Sequence, residues 1–188
     1  MAALTTPDIR FQESFLAAMA EFADEGRTSD GSGIGSDLEE WGSRWDTAEG
    51  FAAYVQEKVA ERDGVVDPDW VRCTNLWWVV DGQYVGRMSI RHELNDWLSE
   101  VGGHIGYDVR RSRRGEGHAT AMLAAALPVA RELGIEQALL TCDDDNVASR
   151  IVIERNGGVL EDVRRRKMRF WVPTSRRDTE AGVAGVMS

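Results

Sequence analysis

The sequence predicts a single α/β domain in which helices pack on a mixed β-sheet, and three observations predict it. Apolar residues recur at helical spacing in the first third of the chain. Two β-rich runs, 74–80 and 84–90, flank Asp81-Gly82. Strand-like and helix-like segments then alternate from 102 to 172. A chain of 188 residues is long enough to bury one sizeable core.

Two helices are predicted before the first strand. Residues 8–24 carry apolar side chains at helical spacing, and Gly26 ends this helix. Thr47 is a good N-cap for the second helix, AEGFAAYVQEKVAERD. The segment between them, residues 27–37, is rich in Gly and Ser and predicts a mobile loop. Such a loop is either an inert linker or a cover over a substrate site.

Asp81-Gly82 between two β-rich runs is the strongest short-range signal for a β-hairpin. Pro128 should kink or break the helix that contains it, and Asn146 is a good N-cap. The elements after the hairpin are a strand over 102–109, a helix over 117–133, a strand over 136–142, a helix over 146–158 and one or two strands over 159–172. We therefore expect one domain over 1–172 and a flexible tail over 173–188.

Composition narrows the classes of partner. A formal net charge of −10 argues against a nucleic-acid binder and suits an amine-bearing substrate, although solubility alone explains it as well. The sequence has no apolar run of membrane-spanning length and no signal-peptide pattern, so we expect a cytoplasmic protein without a membrane partner. Cys73 and Cys142 indicate two buried thiols rather than a disulfide framework, and no His/Cys spacing resembles a zinc site.

Residues 113–120, RRGEGHAT, form a basic turn between the strand that ends at Val109 and the helix that begins at Gly117. The first turn of a helix leaves N–H groups unpaired, and the helix dipole adds about half a positive charge there. Gly115 and Gly117 leave room for a phosphate to approach. A solvated basic turn is the alternative. The arginines that would attract a polyanion are Arg110, Arg111, Arg113 and Arg114.

Two known phosphate-binding patterns do not fit this turn. The Walker motif G-x-x-x-x-G-K-[ST] is absent. A Rossmann fingerprint requires its glycines directly after the strand, whereas five residues separate Val109 from Gly115, and Thr120 stands at its third small position. Neither a P-loop nor a dinucleotide-binding turn is therefore predicted.

The turn matches a third pattern. Residues 114–119, R-G-E-G-H-A, fit Q/R-x-x-G-x-G/A, and a strand and an N-x-x-S helix over 146–149 follow in order. This series resembles the GNAT superfamily of acyl-CoA N-acyltransferases over residues 8–172. The stretches IRHELN and GGHIGY are similar to a bacterial subgroup of predicted acetyltransferases. The resemblance implies a single-domain GNAT-like fold that uses acetyl-CoA as co-substrate and no metal.

The resemblance also implies where the co-substrate binds. Backbone N–H groups of the signature turn would bind the pyrophosphate of coenzyme A. The strand that ends YDV would pair with the pantetheine arm, in a slot opened by splaying from the strand ALLTC, and an N–H near Tyr107–Val109 would face the thioester carbonyl. Glu116 and His118 would face solvent. The implied binding residues are Tyr107, Val109, Arg111, Arg114, Gly115, Glu116, Gly117, His118, Ala119, Thr120 and Asn146.

The candidate catalytic residues match the superfamily's pattern less closely than the signature turn does. Many members of the superfamily protonate the leaving thiolate with a tyrosine at the position where this chain has Ile153. Ser149 is the substitute acid that the resemblance implies, and the alternative is a hydroxyl bonded back to its own helix. Glu93 and His92, at the exit of the hairpin, are the candidate bases, although both are also ordinary surface residues at a strand end.

The reading that combines these features is an N-acetyltransferase that moves an acetyl group directly to an amine of a small molecule or a protein. A catalytically weak acyl-CoA sensor is the alternative, because Ile153 replaces the usual acid. Trp77 and Trp78 must face opposite sides of their strand. One of them would be in the core, and the other would line a substrate groove, form a homodimer contact or pack in a second core.

Overall fold

The computed structural model describes residues 1–28, 30–64 and 71–175. Its strands are β1 (Ala2–Thr5), β2 (Cys73–Val80), β3 (Gln83–Arg91), β4 (Ile105–Val109), β5 (Gln137–Asp143), β6 (Val159–Arg164) and β7 (Lys167–Pro173). Its α-helices are α1 (Gln12–Asp24), α2 (Gly33–Trp41), α3 (Ala48–Ala60), α4 (His118–Glu132) and α5 (Val147–Arg155). The strands form two antiparallel sheets, ordered β1-β2-β3-β4 and β5-β7-β6. The predicted combination of helices and sheet in one domain is confirmed.

The N-terminal third contains two elements that the sequence did not indicate. Strand β1 pairs with β2, and helix α2 begins within the segment predicted as a loop and ends at Trp41, four residues beyond it. Ser32 caps α2 by accepting a hydrogen bond from the Gly35 N–H at 3.1 Å, and Ile34 and Trp41 are buried. The prediction of two N-terminal helices is therefore incomplete, because the apolar spacing of α2 was obscured by its glycines.

The four-stranded sheet has a hydrophobic core on each face. Trp77 packs among the aromatic side chains of α1 and α3, with its ring stacked on Phe15 at 5.1 Å between centroids. Trp78 packs in a mostly aliphatic core under α4 and α5. Each tryptophan is about 95% or more buried, so both serve as core residues on opposite faces. Neither the substrate groove nor the dimer contact needs to be invoked for them.

The turns follow the backbone preferences of their residues. Asp81 and Gly82 both have positive φ angles, 48° and 79°, as a two-residue type I′ hairpin requires, so the predicted hairpin is confirmed. A second tight turn at Arg165 and Arg166, also with positive φ, joins β6 to β7. Helix α4 continues past Pro128, so the proline does not break it.

Strands β4 and β5 meet at one point and then separate. The His104 N–H donates to the Leu139 carbonyl at 2.7 Å, and the Leu139 N–H donates to Nδ1 of His104 at 2.9 Å. Gly103 has a φ of 65°, and a Cβ there would lie 2.5 Å from the Leu139 carbonyl oxygen. Beyond His104 the two strands belong to different sheets. This divergence leaves a cleft between β4 and β5.

The last described residues are fixed to the domain. Thr174 is buried, and its hydroxyl donates to the carbonyl of Ile135 at 2.7 Å. Thr174, which belongs to the expected tail, is thus packed on the domain. Most of the expected tail, residues 176–188, lies outside the described residues.

Candidate active site

The turn between β4 and α4 depends on two glycines. Gly115 and Gly117 have φ angles of 81° and 83°, in the left-handed region where other L-residues are strained. A Cβ at either position would meet no protein atom within 4 Å. Glycine is therefore favoured here by the backbone, and the space beside the turn is open to a ligand.

The same turn presents a row of free backbone donors. In the described part of the chain, no hydrogen-bond acceptor lies opposite the N–H groups of residues 115–120, and the first bond of α4 runs from the Ala121 N–H to the Gly117 carbonyl at 3.1 Å. Gly117 is the N-cap and offers no side chain to satisfy them. Six unpaired N–H groups at a helix N-terminus favour an anion.

Helix α1 braces this turn through Glu21. Its carboxylate accepts hydrogen bonds from Nε of Arg110 at 2.9 Å, from the Ser112 N–H at 2.9 Å and from the Ser112 hydroxyl at 2.8 Å. Burial alone would raise the pKa of Glu21, but these hydrogen bonds lower it to about 2. Glu21 therefore stays ionised and fixes the start of the turn.

The other arginines of the turn are mostly paired. Arg114 is bidentate to Glu25, the C-cap of α1, and also donates from Nε to the Val109 carbonyl at 2.9 Å. Arg113 bonds Glu116 at 3.0 Å. Arg111 is exposed and has no partner among the described residues. The positive potential of the turn therefore comes mainly from its backbone N–H groups and from Arg111.

His118 begins α4 and does not face solvent as expected. Nε1 of Trp78 donates to its Nδ1 at 3.3 Å, which ties the first turn of α4 to β2. With Nδ1 acting as acceptor, a neutral imidazole has its proton on Nε2, which lies 3.1 Å from a carboxylate oxygen of Glu116. Glu116 itself is exposed, as expected.

Two hydroxyl groups meet across the cleft between the sheets. The hydroxyl of Tyr107 in β4 lies 2.7 Å from Oγ of Ser149 in α5. Asn146 caps α5 by accepting the Ser149 N–H at 3.0 Å, which sets the orientation of this first turn. In the described residues, the Ser149 hydroxyl makes its hydrogen bond to Tyr107 and none to a carbonyl of α5. Burial raises the pKa of Tyr107 to about 12, so this phenol stays protonated at neutral pH.

The position of the usual acid does not reach this cleft. Ile153 is completely buried in the aliphatic core. Tyr107 and Ser149 lie 42 residues apart in the sequence, and only the tertiary structure brings them together. Both residues were predicted from the sequence as site residues, but no pattern in the sequence indicated that their hydroxyl groups are in contact.

The two candidate bases lie at a distance from this pair. Met88 pairs with Tyr107 in the β3–β4 register, and His92 is four residues farther along the chain, or about 13 Å at strand spacing. Nε2 of His92 bonds the Thr74 hydroxyl at 2.8 Å, and burial lowers its pKa. Glu93 is exposed and pairs with Arg72 at 3.0 Å. The structure does not bring them next to Tyr107 and Ser149.

A cluster of paired charged side chains on the opposite face of β3 and β4 was not predicted from the sequence. Arg87 bonds the buried Asp37 and lies near Asp108, which also bonds Arg27 at 3.0 Å. Alternate residues of β3 after Gly86 are polar, which is the pattern of a strand with one polar face. The alternation of Arg87, Ser89 and Arg91 with apolar residues is the sequence pattern that could have predicted this cluster.

Within residues 1–28, 30–64 and 71–175, no group of three or more His, Cys, Asp or Glu side chains is arranged to hold a metal ion. In the same part of the chain, no helix combines the length and apolarity that crossing a membrane requires.

The family model described as the acetyltransferase (GNAT) domain matches residues 34–159. Mycobacterium smegmatis RimJ in complex with CoA-disulfide has a similar structure, with 19% identity, a TM-score of 0.63, and coverage of 91% of this chain and 80% of that one. RimL, a ribosomal L7/L12 alpha-N-protein acetyltransferase in complex with coenzyme A, has 17% identity, a TM-score of 0.60, and coverage of 90% and 92%. The microcin C7 self-immunity acetyltransferase MccE, in complex with acetyl-CoA and AMP, has 12% identity, a TM-score of 0.60, and coverage of 92% of each chain. No curated protein matches the sequence.

Proposed function

The chain belongs to the GNAT family of acetyltransferases, and on that premise we propose that it transfers the acetyl group of acetyl-CoA directly to an amine of a small molecule or a protein. The observation that carries this proposal is the row of six unpaired N–H groups in the glycine turn beside the β4–β5 cleft. The N–H groups of residues 115–120 would bind the pyrophosphate of coenzyme A.

The cleft would receive the pantetheine arm. Strand β4 pairs with β3 on one edge, while its other edge has no strand partner in the described residues. A pantetheine amide can bond such a free edge in the way an added strand does. The bonds between His104 and Leu139 would close the inner end of the cleft.

The reaction requires a polarised carbonyl, a neutral amine and a proton for the leaving thiolate. A main-chain N–H of Tyr107–Val109 would donate to the thioester oxygen, where negative charge develops as the amine attacks. The amine nitrogen bonds the carbonyl carbon, the carbon–sulfur bond breaks, and the coenzyme A thiolate takes the proton of the Ser149 hydroxyl. Tyr107 would return a proton to Ser149, and the proton that the nitrogen loses on becoming an amide would restore Tyr107 through water. The ammonium form of an amine, with a pKa of about 10.4 when lysine-like, must first lose a proton, and Glu93 or His92 would accept it through water.

Direct transfer is favoured over an acyl-enzyme because neither thiol is activated. Burial raises the pKa of Cys73 to about 11. Burial also raises the pKa of Cys142. A nucleophilic cysteine requires the opposite shift. The similar structures include a protein acetyltransferase and a self-immunity acetyltransferase, so both acceptor classes are retained. The proposal also keeps the cytoplasmic location that the sequence predicts.

A catalytically weak acyl-CoA sensor is the second candidate, favoured by the burial of Ile153 and by the distance of both candidate bases from Ser149. Calorimetric titration with acetyl-CoA and thiol release with a panel of amines separate the two. We expect both binding and amine-dependent thiol release. Binding without release on any amine would favour the sensor, and absence of binding would overturn both.

A further inference from the structure

Arg91 is partly buried but, unlike the other partly or fully buried arginines of the described residues, has no carboxylate partner. Every other arginine that is at least partly buried in the described residues has a carboxylate partner, as the cost of burying a charge requires. These pairs are Arg27 with Asp108, Arg87 with Asp37, Arg110 with Glu21, Arg113 with Glu116 and Arg169 with Asp162. No described carboxylate lies within salt-bridge distance of Arg91.

The hydrogen bonds of Arg91 use one side of its guanidinium. NH1 donates to the carbonyls of Gly102 at 3.1 Å and Gly103 at 3.2 Å. In the part of the chain that the structure describes, Nε and NH2 have no acceptor. These two nitrogens form the edge with which arginine binds carboxylates and phosphates through two parallel hydrogen bonds. The edge suited to an anion is therefore the one left unused.

The guanidinium lies next to the expected reaction centre. A Cβ on Gly106 would be 3.6 Å from NH1 and 3.7 Å from NH2 of Arg91, so the group lies over the backbone of β4. Gly106 immediately precedes Tyr107 but faces the opposite side of the sheet, where Asp108 also points. The guanidinium of Arg91 lies over Gly106, and Gly106 is about 3 to 10 Å along β4 from Tyr107–Val109, the stretch proposed to contact the thioester.

We propose that Arg91 binds a carboxylate or phosphate of the amine acceptor and thereby places its amine at the thioester. The inference rests on the proposed function. The short span between Arg91 and Tyr107–Val109 suits a small molecule whose amine and anionic group are a few bonds apart, such as an amino acid or an aminoalkyl phosphate. Burial lowers the pKa of Arg91 because it disfavours the charged form, and an anion bound to the guanidinium would offset that cost.

A titration that does not depend on turnover tests the site. Protein labelled with 15N is saturated with coenzyme A, so that the glycine turn is occupied, and is titrated with acetate and separately with inorganic phosphate. We expect saturable shifts at the Gly106 amide and the Arg91 Nε–H signals. Arg91→Gln, which removes the guanidinium and its charge, should abolish the Gly106 shift, and Arg131→Gln, a change at an exposed arginine of α4, should preserve it. No saturable shift at Gly106, or an equal shift in Arg91→Gln, would overturn the proposal.

Matched amines identify the anion. Beta-alanine is compared with propylamine, and phosphoethanolamine with ethanolamine, by kcat/KM for thiol release. We expect about a 10- to 100-fold preference for one charged member, lost in Arg91→Gln. A preference that persists in Arg91→Gln contradicts the assignment. Failure of acetyl-CoA to bind would refute the proposed function separately, and the anion titration decides the role of Arg91 even if no amine of the panel reacts.

Discussion

The hydroxyl of Tyr107 lies 2.7 Å from Oγ of Ser149, and this contact bridges β4 and α5 where the two sheets have separated. Ser149 is thereby supplied with a hydrogen-bond partner that is itself protonated at neutral pH, because burial raises the pKa of Tyr107 to about 12. A serine so partnered can give its proton to the leaving thiolate in the same step in which it receives one from the phenol.

Removing the Ser149 hydroxyl should lower kcat. We expect Ser149→Ala to reduce kcat about 100-fold or more with little change in the KM for acetyl-CoA, since proton transfer contributes about that much to catalysis. Tyr107→Phe should reduce kcat less, because Ser149 remains. Steady-state thiol release measures both, with Ser36→Ala, an exposed serine of α2, as the control. Full activity in Ser149→Ala would exclude it as the acid.

Substitution of Gly117 should separate binding from folding. Gly117→Val should abolish coenzyme A binding while the domain still folds, because the valine side chain fills the open side of the turn.

Gly117→Ala and Gly134→Ala make a matched pair, since both glycines have φ above 80° and open space around them. Both variants should lose about 1 kcal/mol of unfolding free energy. Calorimetry should show weaker coenzyme A binding only for Gly117→Ala, and equal affinities in the two variants would contradict the anion site.

The carboxylate of Glu21 should support both stability and co-substrate binding. Its folded pKa of about 2 is below its ordinary 4.5, so its contribution is present above pH 4.5 and is lost as the pH falls toward 2. At pH 7 we expect Glu21→Gln to cost about 1 to 3 kcal/mol in urea unfolding and to weaken coenzyme A binding, because Arg110 and Ser112 are released. Glu132→Gln, an exposed position, is the control. An unchanged affinity would show that the brace does not shape the turn.

The features that local chemistry dictates could be predicted from the sequence. Asp81-Gly82 determines its turn, and the order of strand, glycine turn and helix around Gly117 places N–H groups without acceptors before α4. Helix α2 could not be found in this way, because Gly33 and Gly35 weaken its helical signal and tertiary burial of Ile34 overrides it.

The chemistry of the site escaped prediction wherever it depends on distant contacts. The Tyr107–Ser149 pair joins residues from different elements. The unpaired edge of Arg91 becomes visible only once the partners of the other arginines are known.

His104 should make stability sensitive to acid. Burial and the nearby Arg91 lower its pKa from 6.5 to about 4, and its unprotonated Nδ1 accepts the Leu139 N–H at the point where β4 and β5 separate. A depressed pKa means that the folded state binds the proton less well than the unfolded chain. The contribution of the neutral ring is therefore complete above pH 6.5 and declines as the pH falls toward 4.

His104→Asn tests this prediction, because it provides an acceptor in nearly the same place but does not titrate. Urea unfolding at pH 7.5 and 4.5 should show wild type losing about 2 to 3 kcal/mol more than His104→Asn over this interval. Parallel losses in the two proteins would mean that protonation of His104 leaves the junction of the two sheets intact.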